Sequence, residues 1–379
     1  MESVELERIR MSLDNARSPE EVFGPFTGDT QAEKLEAAKK VFRQITKAVH
    51  PDIYQGTTDF ERANATFKRL AHLWEQAQAR IENGTYGTQK SGDAFTPFVI
   101  RTQKCQYTVK NFQFDGDVCT LYKGISDLTN IDTTCLLKFP IQPADNDLVL
   151  NETRILKHLK QGKGYEKLRH FISQLIDTFT YKEQSSGIVR QVNVLPYWEG
   201  WYSLKEVHDA YPQGIDAKDM AWVWRRILVA LGFAHANNVI HGAVLPIHIL
   251  ISPQQHGVIL IDWSYAVLDP PATGEYISAI SSDYRDWYPA EVFARAMPTP
   301  GLDISMAARC MIYLLNGNPH KNILPETVPW QMRNYIKACT LPTPQQRPQD
   351  ASVLLDEFDT LIERLWGPRT FHVFAMPKQ

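Results

Sequence analysis

With 379 residues, 44% of them hydrophobic and 22% charged, the chain suits one large core with a small companion and is too apolar for a disordered protein. A formal net charge of -3 excludes a protein-wide electrostatic footprint for nucleic acid, and no apolar run approaches the roughly 20 residues that span a bilayer. The five cysteines, Cys105, Cys119, Cys135, Cys310 and Cys339, form no C-x-x-C pair and read as reduced thiols. The N-terminal stretch mixes charges and lacks the apolar core of a signal peptide, so the expectation is a cytoplasmic protein with neither a membrane nor a nucleic-acid partner.

In chain order, residues 31–49 carry a helical period with Leu35, Ala38, Phe42, Ile45 and Val49 on one face. Lys39, Lys40, Arg43 and Lys47 lie on or beside the opposite face. Pro51, within His50-Pro51-Asp52, ends that helix, because its ring excludes the helical conformation from the residue before it. A second amphipathic helix is predicted over residues 59–81, with Phe60, Ala63, Phe67, Leu70 and Trp74 on its apolar face, so the two fold back as an antiparallel hairpin. A polar, glycine-rich linker follows over residues 84–97. Short strand-like runs at 107–109, 119–123, 134–139 and 192–195 then precede long helical segments, which predicts an α+β domain. The expected division is therefore an all-α domain over 1–83, the linker, and an α+β domain over 98–379 whose two lobes meet near residue 197.

A basic helix face alone is usually just solvated. The segment from Lys39 to Asp52, however, closely resembles the second helix and following loop of J domains, and Phe23-Gly24 resembles the start of that family's leucine-glycine-rich segment. The resemblance covers about residues 18–82. The basic motif expected at the end of the third helix is missing, and no glycine/phenylalanine-rich region or cysteine-rich zinc module follows. The resemblance implies that Lys39, Lys40, Arg43, Lys47, His50, Pro51 and Asp52 engage a DnaK-type chaperone and stimulate its ATP hydrolysis. A basic helix steers toward an acidic partner, and a rigid loop presents Asp52 as an interfacial acceptor. Phe42, Phe67 and Trp74 are expected in the core.

The run from His241 to Leu250 resembles the H-R-D-L-K-P-x-N-I-L catalytic loop of protein kinases, and Leu260-Ile261-Asp262-Trp263-Ser264 resembles L-x-D-F-G. Leu136-Leu137-Lys138 resembles the V-A-I-K strand, Glu152 the αC glutamate, and Tyr288-Pro289-Ala290-Glu291 the A-P-E segment. Asp303 and Arg347-Pro348 complete the order, across about residues 105–365. The implied fold is bilobal. In that family the loop aspartate, lysine and asparagine do the chemistry, and here those positions hold Ala243, Leu245 and His248. A general base alone is worth roughly 10² to 10⁴ in rate, so the expectation is a pseudokinase without catalytic residues, not an enzyme. Gly242 also replaces the arginine that reads a phosphorylated activation loop.

The nucleotide site is a separate matter. Lys138, Glu152 and Asp262 would supply the phosphate contact, its ion-pair partner and a metal ligand, with Gly116 under the phosphates and the Trp198 backbone facing an adenine. That implies ATP, with or without Mg2+. Phe114 and Cys119 stand where two glycines are expected, and Asp115 and Asp117 bring negative charge toward the phosphates. Structural readings stand beside these: a Lys138–Glu152 ion pair, Asp303 as a backbone anchor, Glu291 with Arg347 as a brace, and a locally satisfied His248. Leu156, His241 and Trp263 are expected in the apolar core.

Three functions follow. The first is a non-enzymatic adaptor that recruits and stimulates a DnaK-type chaperone while the kinase-like domain binds a client or senses a nucleotide. The second is an atypical ATP-dependent transferase built on Lys138, Glu152 and Asp262, with His248 or Asp283 in altered roles. The third is a purely structural interaction scaffold.

Overall fold

The first helix of the basic hairpin begins where a side chain can satisfy its open N–H groups. Thr30 accepts from the Glu33 backbone N–H at 3.2 Å while the Glu33 carboxylate accepts from the Thr30 N–H at 3.2 Å. In the computed structural model, which describes residues 2–16, 18–24, 30–82, 86, 97–127, 133–183, 187–281, 283–371 and 373–377, the chain divides into two compact units, Met1–Ala94 and Phe95–Gln379.

The first unit contains α1 (Glu2–Asn15), α2 (Pro19–Phe23), α3 (Gln31–Val49) and α4 (Phe60–Glu82). Helix α3 stops because Pro51 drives His50 to an extended φ of -62° and ψ of 130°. One 3-10 turn, Pro51–Tyr54, then reverses the chain, tied by the Tyr54 hydroxyl to the Ala48 carbonyl at 2.9 Å. The expected hairpin of α3 and α4 is present, yet a hairpin is not the whole unit. Leu6 and Leu13 of α1 and Phe23 of α2 are buried together with Ala38, Leu70 and Leu73, so four helices share one core. Arg69 donates to the carbonyls of Leu13 and Ala16, and Arg80 pairs with Glu20 at 3.0 Å, which ties α1 and α2 to α4. Phe42 stacks on Trp74 with centroids 5.1 Å apart, and both are half-buried against this core, as is Phe67. The predicted linker over 84–97 lies outside the described residues apart from Tyr86 and Pro97; the buried Tyr86 donates its hydroxyl to the Gly24 carbonyl at 3.1 Å.

The second unit opens with β1 (Phe98–Arg101), β2 (Gln106–Asp115), β3 (Cys119–Ser126) and β4 (Thr133–Pro140), then α5 (Asn146–Gln161), a short α6 (Tyr165–Leu168), β5 (Asp177–Lys182) and β6 (Val189–Pro196). These strands form one antiparallel sheet in the order β1-β2-β3-β4-β6-β5. The strand-like runs of the sequence fall inside β2, β3, β4 and β6, whereas β1 and β5 had no expectation. β1 is four residues long, and β5, Asp-Thr-Phe-Thr-Tyr-Lys, mixes polar residues into a half-buried edge. Behind the sheet, α5 buries Leu148, Val149, Ile155, Leu156 and Leu159.

The larger lobe follows: β7 (Tyr202–Ser203), α7 (Leu204–Ala210), α8 (Ala217–Ala236), β8 (Val239–Ile240), β9 (Ile249–Ser252), β10 (Gly257–Leu260), β11 (Val267–Leu268), α9 (Pro270–Thr273), α10 (Ala290–Phe293), α11 (Pro300–Leu314), α12 (Trp330–Cys339) and α13 (Ala351–Trp366). Its centre is α8 and α11, which bury Met220, Val223, Trp224, Leu231, Ile304 and Met311 among others. Such a helix pair, apolar nearly all round, belongs at the middle of a large core. Among the described residues no helix is long and apolar enough to cross a membrane.

Candidate functional site

Strand β4 carries Lys138 opposite Leu121 of β3 and Asn193 of β6, which fixes the side chain under the sheet. Its Nζ donates to Glu152 Oε1 at 3.2 Å, Asp262 Oδ1 at 2.7 Å and Ser264 Oγ at 2.9 Å, so three acceptors meet the three ammonium hydrogens. Glu152, fully buried on α5, is held from two further sides, by the Trp263 backbone N–H at 3.2 Å and the Asn193 side-chain amide at 3.1 Å. Asn151, one residue earlier, donates to the carbonyls of Ser264 and Ala266 at 2.9 and 2.8 Å, locking α5 to the segment that carries Asp262. Burial opposes charge on both Lys138 and Asp262, but their mutual attraction outweighs it. The ammonium is held above the usual lysine range by Asp262 and Glu152, and the Asp262 carboxyl below the usual carboxylate range by Lys138 and His248.

Sequence reading thus placed Lys138, Glu152 and Asp262 in one site, and the structure brings them together. It missed Asn193, Ser264 and Asn151. Asn193 had a signal, a polar residue inside the apolar strand run 192–195, whereas Ser264 and Asn151 had none before the chain folded.

The loop from His241 to His248 is built around Asp303 of α11. That carboxylate accepts the backbone N–H groups of His241 at 2.7 Å and Gly242 at 2.8 Å, and contacts His235 Nε2 at 2.9 Å, all in a fully buried position. His241 accepts from the Ala243 N–H at Nδ1, contacts the Ile261 carbonyl at 3.0 Å, and lies edge-on to Trp263 with centroids 4.6 Å apart. Burial pulls its pKa down to about 4, so this imidazole is a neutral core group, and Leu156 and Trp263 are buried with it. Ala243 and Leu245 are fully buried and bring no ionisable group to the loop. His248 is 6% exposed, with Nδ1 2.8 Å from the Ala243 carbonyl and Nε2 3.3 Å from the Asp262 carboxylate. A carbonyl only accepts, so Nδ1 carries the hydrogen and Nε2 faces Asp262.

Gly242 stands where the resemblance expects arginine, and its backbone explains the exchange here. Its φ is +74°, and a Cβ would lie 2.9 Å from the Tyr265 carbonyl oxygen and 3.1 Å from the Ile277 side chain. Gly242→Ala is expected to cost about 1–3 kcal/mol in urea unfolding; an unchanged midpoint would contradict that geometry.

At the turn between β2 and β3, Gly116 donates to the Cys119 carbonyl at 2.7 Å. Asp117, expected to repel phosphates, accepts from the Ser281 hydroxyl, and the Asp115 side chain lies outside the described residues. Cys119 is buried and its thiol is pushed up to about 12, first by burial, so it is unreactive. Trp198 follows β6 at the junction of the lobes, its ring 5.3 Å from that of Trp201. Asp283 is exposed in the segment between β11 and α10. Glu291 and Arg347 form the expected bidentate pair, and Arg347 also donates to the Leu341 and Pro342 carbonyls. For a nucleotide's phosphate tail the cluster is closed as it stands: the Lys138 side chain is 4% exposed and its Nζ already donates to Glu152, Asp262 and Ser264, so phosphate oxygens reach it only in exchange for one of these contacts.

In the first unit, His50 Nδ1 accepts from the Asp52 N–H at 3.3 Å and its ring packs edge-on against Phe67. The tripeptide is therefore fixed, while the Asp52 side chain is 83% exposed. Lys40, Arg43 and Lys47 are exposed, and Lys39 half-buried, on α3. Glu36 approaches Lys39 at 3.8 Å and Arg43 at 4.0 Å, so one acid tempers this face.

No protein-family model and no curated protein sequence matches the chain. Solved structures do. The kinase domain of PknI from Mycobacterium tuberculosis, in a point-mutant form, aligns with a TM-score of 0.51 at 16% identity over 72% of this chain and 100% of that one. Vaccinia related kinase 3 aligns with a TM-score of 0.54 at 18% identity over 75% of this chain and 96% of that one. The expectation that this chain is not an enzyme is overturned by this likeness to protein kinases. The replacements at Ala243, Leu245 and His248 leave the Lys138–Glu152–Asp262 cluster assembled, so lost loop residues alone do not make a non-enzyme. What these matches show is a bilobal α+β protein-kinase-like fold.

Proposed function

We propose that the chain joins a J-domain-type recruiter of a DnaK-type chaperone to an atypical ATP-dependent transferase of the kinase fold. The assembled Lys138–Glu152–Asp262 cluster carries the transferase half of this reading. Phosphoryl transfer passes through a loose transition state, in which the protein's contribution is mostly positioning and electrostatic stabilisation. ATP with its cation would supply the phosphoryl group. Lys138 would hold phosphate oxygens by exchanging its Asp262 or Ser264 contact for them, with Glu152 and Asn193 orienting it, and Asp262, released from Lys138, would hold the cation, with His248 Nε2 at 3.3 Å from that carboxylate. Missing the base that Ala243 replaces costs roughly 10² to 10⁴ in rate, so transfer by this site is slow.

The recruitment half is supported by a rigid loop that presents an exposed Asp52 at the end of a helix bearing Lys40, Arg43 and Lys47. Two measurements separate the halves. Label transfer from radioactive ATP with Mg2+ or Mn2+ is expected for the full chain and lost in Asp262→Ala; labelling no greater than that variant's sinks the transferase. Stimulation of the cognate chaperone's ATPase is expected and lost in Asp52→Asn; stimulation that survives the substitution sinks the recruiter.

A further inference from the structure

Among the described residues the six-stranded sheet ends in two strands with one partner each, β1 on β2 and β5 on β6. These two edges flank the same cavity of about 790 Å³, lined by Val99 to Lys104 on one side and Asp177 to Lys182 on the other. The turn after β1 already reaches across it. Lys104 pairs with Asp177 at 2.5 Å, the Tyr107 hydroxyl donates to the same carboxylate at 2.9 Å, and Tyr107 stacks on Phe179. The sheet is thus rolled until its first and last strands face one groove without pairing across it. Their outward backbone N–H and C=O groups form a template for an added strand.

The charge of the groove is one-sided. Arg101, Lys104 and Lys182 line it, and a second cavity of about 180 Å³ that shares Lys104, Asp177 and Thr178 adds Lys157 and Lys160 of α5. Among the described residues Asp177 is the one carboxylate in either lining, and its side chain is 2% exposed and already bonded to Lys104 and Tyr107. An incoming backbone therefore meets open edges, and its side chains meet cations.

We infer that this groove binds an extended, acidic segment of a partner protein, which adds as a strand between β1 and β5. Main-chain hydrogen bonds hold it along the edges, while Lys182, Arg101 and the α5 lysines select Asp and Glu on its exposed side. The groove shares no residue with the Lys138 cluster or with the His50-Pro51-Asp52 loop and depends on neither reading of them.

The test uses the full chain and a fluorescent decapeptide of alternating glutamate and valine, read by anisotropy. Saturable binding is expected, with none for the matching lysine–valine peptide. A double Lys157→Glu, Lys182→Glu variant, which leaves the Lys104–Asp177 pair intact, is expected to weaken binding at least about tenfold. An analogue N-methylated at alternate amides is expected to fail, because it removes half of the pairing donors. Unfolding midpoints confirm that the variant folds. Equal binding of both peptides, unchanged binding by the charge-reversed variant, or full binding of the methylated analogue each overturns the proposal. So does saturation only by a second copy of the chain, seen as concentration-dependent self-association that the peptide leaves unaffected.

Discussion

Asp303→Ala is expected to lower the stability of the second unit by about 3–5 kcal/mol, because it removes the one acceptor of three inward-pointing donors. The His241 and Gly242 N–H groups lie 2.7 and 2.8 Å from this carboxylate, His235 Nε2 lies 2.9 Å from it, and the carboxylate itself is fully buried. These donors lie in the buried interior, so losing the carboxylate leaves them without their charged acceptor. Urea unfolding followed by tryptophan fluorescence reports on this unit, since Trp74 is the one tryptophan of the nine that lies outside it. A loss of less than about 1 kcal/mol would show that the loop keeps its shape without the anchor. The consequence for function is direct, since the same backbone positions His248 beside Asp262.

Lys138→Met, a substitution aimed at phosphate binding, is expected to act on stability as well. It leaves Glu152, fully buried, and Asp262 side by side without their shared cation. Breaking a buried ion pair by removing one member typically costs about 3–5 kcal/mol at neutral pH. The sign of the pH dependence follows from the carboxyl group. In the native protein Asp262 is held below the usual carboxylate range despite its burial, so its contribution is present above pH about 4 and lost as the pH falls through its folded value. In the variant the ammonium no longer holds the carboxyl down, so its folded pKa rises and the stability it contributes above pH about 4 shrinks. The gap between the two proteins should therefore be widest near pH 7 and narrow toward pH 4. Urea midpoints across that range check it, and a gap that widens on acidification would contradict the assignment. Label transfer by Lys138→Met is informative only where the variant remains folded.

Much of this was readable in the chain. The 3.6 period over residues 31–49, its stop at Pro51 and the second period over 59–81 are local, and α3 and α4 follow them within one residue. The order of Lys138, Glu152, Asp262, Glu291, Asp303 and Arg347 pointed to a kinase-like frame, and each of these residues makes a buried or half-buried ionic contact in the structure. Helix α1 was missed because Leu6 and Leu13 sit among charges, and their burial depends on the surface that α4 leaves uncovered. The non-enzyme expectation was overturned by the likeness of the fold to protein kinases, which a count of loop residues does not weigh. Counting lost side chains in the loop says nothing about whether the remaining cluster closes, and closure depends on Asn193, Ser264 and the Trp263 backbone, which approach from separate segments.

The sequence by itself determined that residues 31–49 and 59–81 are helical, which residues carry charge, and where the kinase-like frame falls, because periodicity, proline chemistry and residue identity are properties of neighbours along the chain. Tertiary structure alone decided that Lys138 is saturated by three acceptors, that Gly242 must be a glycine, and that β1 and β5 end facing one basic groove. Each of these depends on distances between segments remote in sequence, and a buried charge, a left-handed backbone and an open sheet edge take their energies from what the fold sets beside them.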